Sequence, residues 1–171
     1  MADGSDEPND ILKYYNKFLE GYESVFGTRF CQEAKVINYP FQKFILNRLV
    51  NLFIRIIFCV PYNDITNAFK CYSRKTIEKI SPLSSWKFEL TVEMPLKAII
   101  RQCCWTVVPT NWYGRQKGLS KWQKREIFFG YLFLTISLWV EKMLSGAKFA
   151  HPKNKNFVIK PLKENSNITV Y

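Results

Sequence analysis

The chain contains a single histidine, His151, and its five cysteines (Cys31, Cys59, Cys71, Cys103 and Cys104) form no Cys-x-x-Cys pair. A thiolate or imidazole zinc centre is therefore not expected, nor is a mechanism that rests on a histidine base. The odd cysteine count fits buried thiols in a reducing compartment. No positively charged leader with an apolar core opens the chain, so no secretory signal is expected, and Asn167-Ile168-Thr169 reads as a chance match to the glycosylation pattern. The longest charge-free apolar run, Ile127 to Val140, has fourteen residues. A membrane-spanning helix needs about 20. Internal repeats are absent.

Apolar and aromatic residues are plentiful. Hydrophobic content of 47% with 16% aromatics excludes intrinsic disorder for most of the chain, and 171 residues suffice for one domain with a real core. The formal charge of +11 is uneven, because residues 1–30 hold six acids against three bases. A basic body with an acidic edge suggests anionic partners: nucleic acid, phosphorylated small molecules or an anionic membrane surface. No RNA-binding aromatic motif appears and the aromatics fall mainly at helix-core positions, so a nucleic-acid partner is not expected.

The acidic opening, Met1 to Ile11, places Asp3, Asp6, Glu7 and Asp10 ahead of a helix start. It is either a solvated tail or a cation site. Pro8 in the first turn and Gly21 as a stop predict a helix between them, whose N-terminal acids complement its dipole. Glu23 to Phe30 predicts a strand, followed by a polar loop to Pro40. Phe41 to Val60 predicts a long helix on which Lys43, Asn47, Asn51 and Arg55 recur every four residues, with Arg48 beside them. This polar stripe reads as a solvated face, with the wall of a polar cleft as the alternative.

Beyond Pro61 come a strand over Ala68 to Ser73, a short helix over Lys75 to Ile80, and a helix from about Trp86 to Arg101 that Pro95 should kink or break. A strand over Cys103 to Pro109 and a polar loop over Thr110 to Lys121 follow. Trp122 to Leu144 predicts the most hydrophobic helix, suited either to the core or to a membrane interface, given Trp122, Lys124, Arg125, Trp139 and Lys142 at its ends. Residues 146–171 read as a basic, polar, loosely ordered tail. Alternating helices and strands indicate an α/β fold. With only about three strands, the chain reads as part of a larger α/β domain.

Three stretches together resemble the polyprenyl- or dolichyl-phosphate sugar transferases of glycosyltransferase family two. They are Ala2-Asp3-Gly-Ser-Asp6-Glu-Pro-Asn-Asp10-Ile11 with Gly27-Thr28-Arg29-Phe30; then Asp64-Ile-Thr66-Asn-Ala-Phe69-Lys70-Cys-Tyr72; then Phe88-Glu89 to Glu93, Val108-Pro109 and Arg115-x-x-Gly118-x-Ser120-Lys121. Met1 stands where the family's metal motif has its first Asp, Lys70 replaces the usual Arg, and the family's N-terminal, donor-binding half has no counterpart here. The resemblance implies the C-terminal part of a nucleotide-diphospho-sugar transferase domain (GT-A, Rossmann-like) over residues 1–145, with few strands and long flanking helices. It implies transfer of a sugar from a nucleotide-sugar to a polyprenyl or dolichyl phosphate, usually by direct displacement with inversion, in the cytoplasm and peripherally at the membrane. A non-catalytic remnant of the same fold is the alternative.

Such chemistry must neutralise a developing diphosphate. A hard cation, Mg²⁺ or Mn²⁺, on carboxylate oxygen does this, and the resemblance points to Asp3, with Asp6 second; for Asp6, Glu7 and Asp10 helix-terminal charge is the simpler reading. A lipid phosphate is already anionic, so fixed cations matter more than a strong base. Arg29, Arg115 and Lys121 are the expected phosphate ligands, with Ser120 and Gly118 admitting further donors. Each basic residue taken alone reads as surface charge. Asp64 either orients the acceptor or caps a turn, Thr66 and Lys70 support the same cleft, and Glu93 joins Asp64 as a catalytic candidate through the resemblance. By spacing alone, Glu89 and Glu93 mark a surface helix face.

Overall fold

Gly21 ends the first helix by adopting a conformation other residues avoid. The computed structural model describes residues 4–114, 124–145 and 168–170, with side chains of the last helix described over residues 129–144. In it α1 spans Asp10–Leu19. Gly21 at φ +91° lets its own N–H reach Phe18 O at 2.9 Å and that of Tyr22 reach Lys17 O at 3.2 Å, a Schellman closure. The remaining elements are β1 (Ser24–Thr28), β2 (Val36–Tyr39), α2 (Phe41–Phe58), β3 (Lys70–Tyr72), α3 (Arg74–Ile80), α4 (Leu90–Ile100), β4 (Trp105–Pro109), β5 (Trp112–Tyr113), α5 (Lys124–Ser145) and β6 (Ile168–Val170).

The described residues form a mixed α/β fold with two three-stranded sheets. In the first, β1 lies between β3, antiparallel, and β4, parallel, with Phe26 opposite Lys70 and Val107. All five residues of β1 are buried, as expected of a strand covered on both faces. Phe26 stacks on Tyr62 at 5.4 Å and on Trp105 at 5.5 Å. Ile54 and Phe58 of α2, Val92, Leu96 and Ile99 of α4, and Leu134 and Leu138 of α5 complete this core. In the second sheet β2 lies between β5 and β6, parallel to both, and Phe30, Val36 and Tyr39 pack beneath Phe44 and Trp112.

Several expectations need correction. Six strands, not three, are present among the described residues. β2 lies in the expected polar loop: it has four residues and Asn38 at φ +58° interrupts it, so no alternation is long enough to read. β6 falls in the expected loose tail, the rest of which lies outside the described residues. The fourth helix starts at Leu90 rather than near Trp86 and continues through Pro95. No helix of the described residues is long and apolar enough to cross a membrane.

The polar stripe of α2 is also reversed. Asn47, Arg48 and Asn51 turn toward the 63–67 loop, while Phe41, Ile45, Leu49, Leu52, Phe53 and Ile56 are exposed. Asn47, Arg48 and Asn51 are thus packed against that loop and are not a solvated face, whereas Lys43 is half-buried and Arg55 exposed.

Candidate functional site

The end of β1 is built around a glycine. A Cβ on Gly27 would collide with the Tyr14 hydroxyl and stand 2.7 Å from Thr110 Cγ2 and 2.9 Å from Phe69 O. Its carbonyl accepts from Tyr62 Oη at 2.8 Å and Asn67 Nδ2 at 2.9 Å. Only a residue without a side chain lets α1, β1 and the 64–69 loop converge here.

Two residues on, Arg29 and Asp64 form a bidentate pair. Asp64 accepts from the Arg29 backbone N–H at 2.9 Å, from Nε at 2.9 Å and from Nη2 at 2.8 Å. Asp64 is completely buried and Arg29 nearly so. Burial alone would raise the Asp64 pKa, but the charge and hydrogen bonds of Arg29, helped by Arg48, hold it below the ordinary carboxylate value. Burial likewise opposes the charge on Arg29, and Asp64 more than compensates, raising its pKa. Asp64 is thus held ionised as the partner of Arg29.

Arg48 reaches the same carboxylate from α2, with Nη2 3.9 Å from Asp64 Oδ1. Its guanidinium lies 3.8 Å above the Phe30 ring and donates to Asn47 Oδ1 at 2.7 Å and Asn63 O at 3.1 Å. Burial depresses its pKa, against the pull of Asp64. Its Nε is buried with no hydrogen-bond partner among the described residues, an exception to the usual satisfaction of buried donors. Two guanidiniums around one carboxylate leave a net positive cluster. Thr66 lies at its edge: its hydroxyl accepts from Asn47 Nδ2 at 2.6 Å and Asn51 Nδ2 at 3.0 Å.

Lys70, expected at the phosphate, is placed differently. Its Nζ donates to Ile65 O at 2.8 Å, to Thr91 O at 2.9 Å and to Asn67 O. Burial lowers its pKa to about 7, with Asp64 opposing that shift and Arg29 adding to it. Glu93 is also diverted. Fully buried, it accepts from Ser84 N at 2.8 Å and Ser85 N at 2.7 Å and pairs with Lys97 at 2.7 Å. Burial pushes its pKa up, but the Lys97 and serine donors outweigh this and hold it low. A surface helix face does not describe it; it fastens the 81–85 turn to α4.

At the acidic end, Asp6 is buried and bridges Trp112 of β5. Asp10 accepts from Asn111 N at 2.8 Å and pairs with Lys13. No group of three or more metal-ligating side chains occurs among the described residues. Asp3, Arg115, Ser120 and Lys121 lie outside them. The structure therefore brings Arg29, Asp64 and Thr66 together and adds Arg48, Asn47 and Asn51. Sequence reasoning had noted these three only as a stripe, whose four-residue repeat was the available signal.

No family model matches this chain. Over 122 residues it is 27% identical to a polyprenol monophosphomannose synthase of Mycolicibacterium smegmatis, covering 70% of this chain and 46% of that protein. Over 117 residues it is 28% identical to glycosyltransferase AglJ of Haloferax volcanii, covering 68% and 38% respectively. The chain spans less than half the length of these curated relatives. The similarities support a relationship to glycosyltransferases of the family-two type, and the mixed α/β architecture is consistent with part of such a domain.

Proposed function

We propose that this chain is part of a GT-A-type glycosyltransferase that moves a sugar from a nucleotide-sugar to a polyprenyl or dolichyl phosphate at the cytoplasmic face of a membrane. One observation carries the reading: the two sides of α2 suit the two ends of such a lipid. Inward, Arg48 presents a buried donor that has no partner among the described residues, close to Asp64 and its partner Arg29. Outward, six large apolar side chains are exposed, and α5, which packs against α2, exposes Phe129, Phe133, Ile136, Trp139, Val140, Met143 and Leu144. An anionic head and an apolar tail have complementary surfaces within one helix diameter, about 10 Å.

The roles follow from charge. The acceptor phosphate oxygen is anionic near neutral pH, so it needs placing more than deprotonating. Arg48 and Arg29 hold it, Asp64 fixes Arg29, and Thr66 with Asn47 and Asn51 fixes the wall from which Arg48 projects. Arg115, Ser120 and Lys121 supply further phosphate donors in this reading. Asp3 and Asp6 would hold Mg²⁺ or Mn²⁺; their hard oxygens suit such an ion, while Asp10, engaged with Asn111 and Lys13, does not join them. When bound, the ion neutralises charge on the departing nucleoside diphosphate.

The test is transfer of radiolabelled sugar from nucleotide-sugars into a polyprenyl-phosphate lipid fraction with Mg²⁺ or Mn²⁺ present. Asp3→Ala should abolish transfer, and Arg48→Ala should raise KM for the lipid phosphate at least tenfold; wild-type activity in Asp3→Ala would remove the metal assignment. A second reading is a non-catalytic protein of the same fold that binds lipid phosphate through the Arg29 and Arg48 cluster. Arg48-dependent binding of polyprenyl phosphate with no transfer from any nucleotide-sugar would establish it.

A further inference from the structure

Pro95 lies inside α4. Having no N–H, it withholds the donor that the carbonyl four residues earlier, that of Thr91, would receive in an unbroken helix. A buried carbonyl left without a donor costs about 1–3 kcal/mol. Thr91 O is nevertheless satisfied, by Lys70 Nζ at 2.9 Å from the first residue of β3.

The other two hydrogens of that ammonium go to Ile65 O and Asn67 O. Those carbonyls belong to the loop from which Asp64 holds Arg29 and Thr66 holds Asn47 and Asn51 of α2. One amine thus joins the interrupted turn of α4 to the loop behind the two arginines. A tetrahedral ammonium points three donors in three directions, whereas the planar guanidinium fork of arginine favours acceptors in one plane. Lysine fits three carbonyls from two separate segments.

We propose that Lys70 is a positioning residue matched to Pro95: it supplies the donor the proline withholds and, through the same amine, fixes the 64–67 loop that sets Arg29 and Arg48. This deepens the phosphate-site reading, on which it rests for its consequence in binding; the structural pairing itself can be tested without activity.

The experiment is a double-mutant cycle in the full chain with Lys70→Met, Pro95→Ala and the pair, read by urea unfolding and by NMR at a pH about one unit below the Lys70 pKa of about 7, where the ammonium keeps all three hydrogens. Pro95→Ala returns an N–H to Thr91 O. The loss of unfolding midpoint caused by Lys70→Met should therefore shrink by at least half in the Pro95→Ala background, and strict additivity would overturn the pairing. Loop fixation is read from the amides of Asn67 and Phe69, which donate to Asp64 O and Asn67 Oδ1, and from the Arg29 Nε–H held by Asp64. In Lys70→Met these should exchange at least tenfold faster in both backgrounds; unchanged exchange would overturn the positioning role. Should Lys70→Met not fold, Pro95→Ala alone decides the pairing, since a competing donor on Thr91 O must shift the Lys70 Nζ resonance and an unmoved resonance rejects it. Inorganic phosphate binding, weakened at least fivefold by Lys70→Met through Arg29 and Arg48, tests the consequence separately. Loop disturbance without weaker phosphate binding would leave the pairing standing and reject the site reading.

Discussion

Asp64 illustrates what a single residue can hide. It has no exposed surface, and its three hydrogen-bond donors among the described residues all come from Arg29, 35 positions earlier. Neither residue type nor local spacing reveals so distant a partner, so acceptor orientation and turn capping stayed equally open in the sequence. Asp64→Asn would leave Arg29 buried without its counter-charge, which costs about 3–5 kcal/mol. Urea unfolding at neutral pH should register that loss, and a change under about 1 kcal/mol would contradict a buried bidentate pair. Lys70 has the opposite linkage. Its folded pKa of about 7 lies below the ordinary 10.5, so above pH 7 the unfolded chain binds more protons than the folded one. Its contribution to stability must therefore rise with pH from about 7 toward 10.5. Asp64 and Arg29 face it with opposing charges and stay ionised throughout this window. The buried thiols of Cys31 and Cys103, raised by burial from 9.0, work against the trend at higher pH. Between pH 7 and about 8.5, before thiols titrate, unfolding free energy should climb in wild type and stay flatter in Lys70→Met.

At the scale of elements, existence was easier to read than facing. Helices α1, α2 and α5 and strands β1 and β4 follow from apolar runs, Gly21, Pro61 and β-branched clusters close to where they were expected. The stripe on α2 was equally visible, but periodicity marks a distinct face without saying which side is inside. The answer depends on Thr66, whose hydroxyl accepts from both asparagines. A helix that turns Asn47 and Asn51 inward beside Val50, Ile54 and Phe58 while leaving leucines outward departs from the ordinary pattern, and such departures tend to occur where function needs them. Two members of the stripe should therefore behave differently. Asn51, 2% exposed and bonded to Asn47 and Thr66, should cost about 1–3 kcal/mol as Asn51→Leu. Exposed Arg55 should cost under about 0.5 kcal/mol as Arg55→Ala. Equal small effects would restore the solvated-face interpretation. The second sheet was illegible for another reason: β5 has two residues and β2 four, and strands that short are defined by their partners.

For the whole molecule, the exposed faces of α2 and α5 and the formal charge of +11 act together. Large exposed apolar patches mark interaction surfaces, and polybasic proteins gain about 1 kcal/mol per lysine or arginine near an anionic leaflet. Aromatic and leucine side chains entering the interface add roughly 25 cal/mol per Å² of apolar surface removed from water. The two terms are separable by experiment. Flotation with vesicles containing phosphatidylserine should bind the chain at low salt and release most of it at about 0.5 M salt, where screening shortens electrostatic reach to a few ångströms. Leu49→Asp combined with Phe53→Asp alters only exposed positions on α2, so the melting temperature should move little. The same pair should reduce flotation at least tenfold at either salt concentration, because both charges would have to enter the interface. Arg55→Ala should weaken low-salt binding alone. Undiminished flotation in the double variant would show that charge alone carries binding and that the outward face of α2 is not the lipid-facing surface. The acceptor would then have to reach Arg48 from another direction.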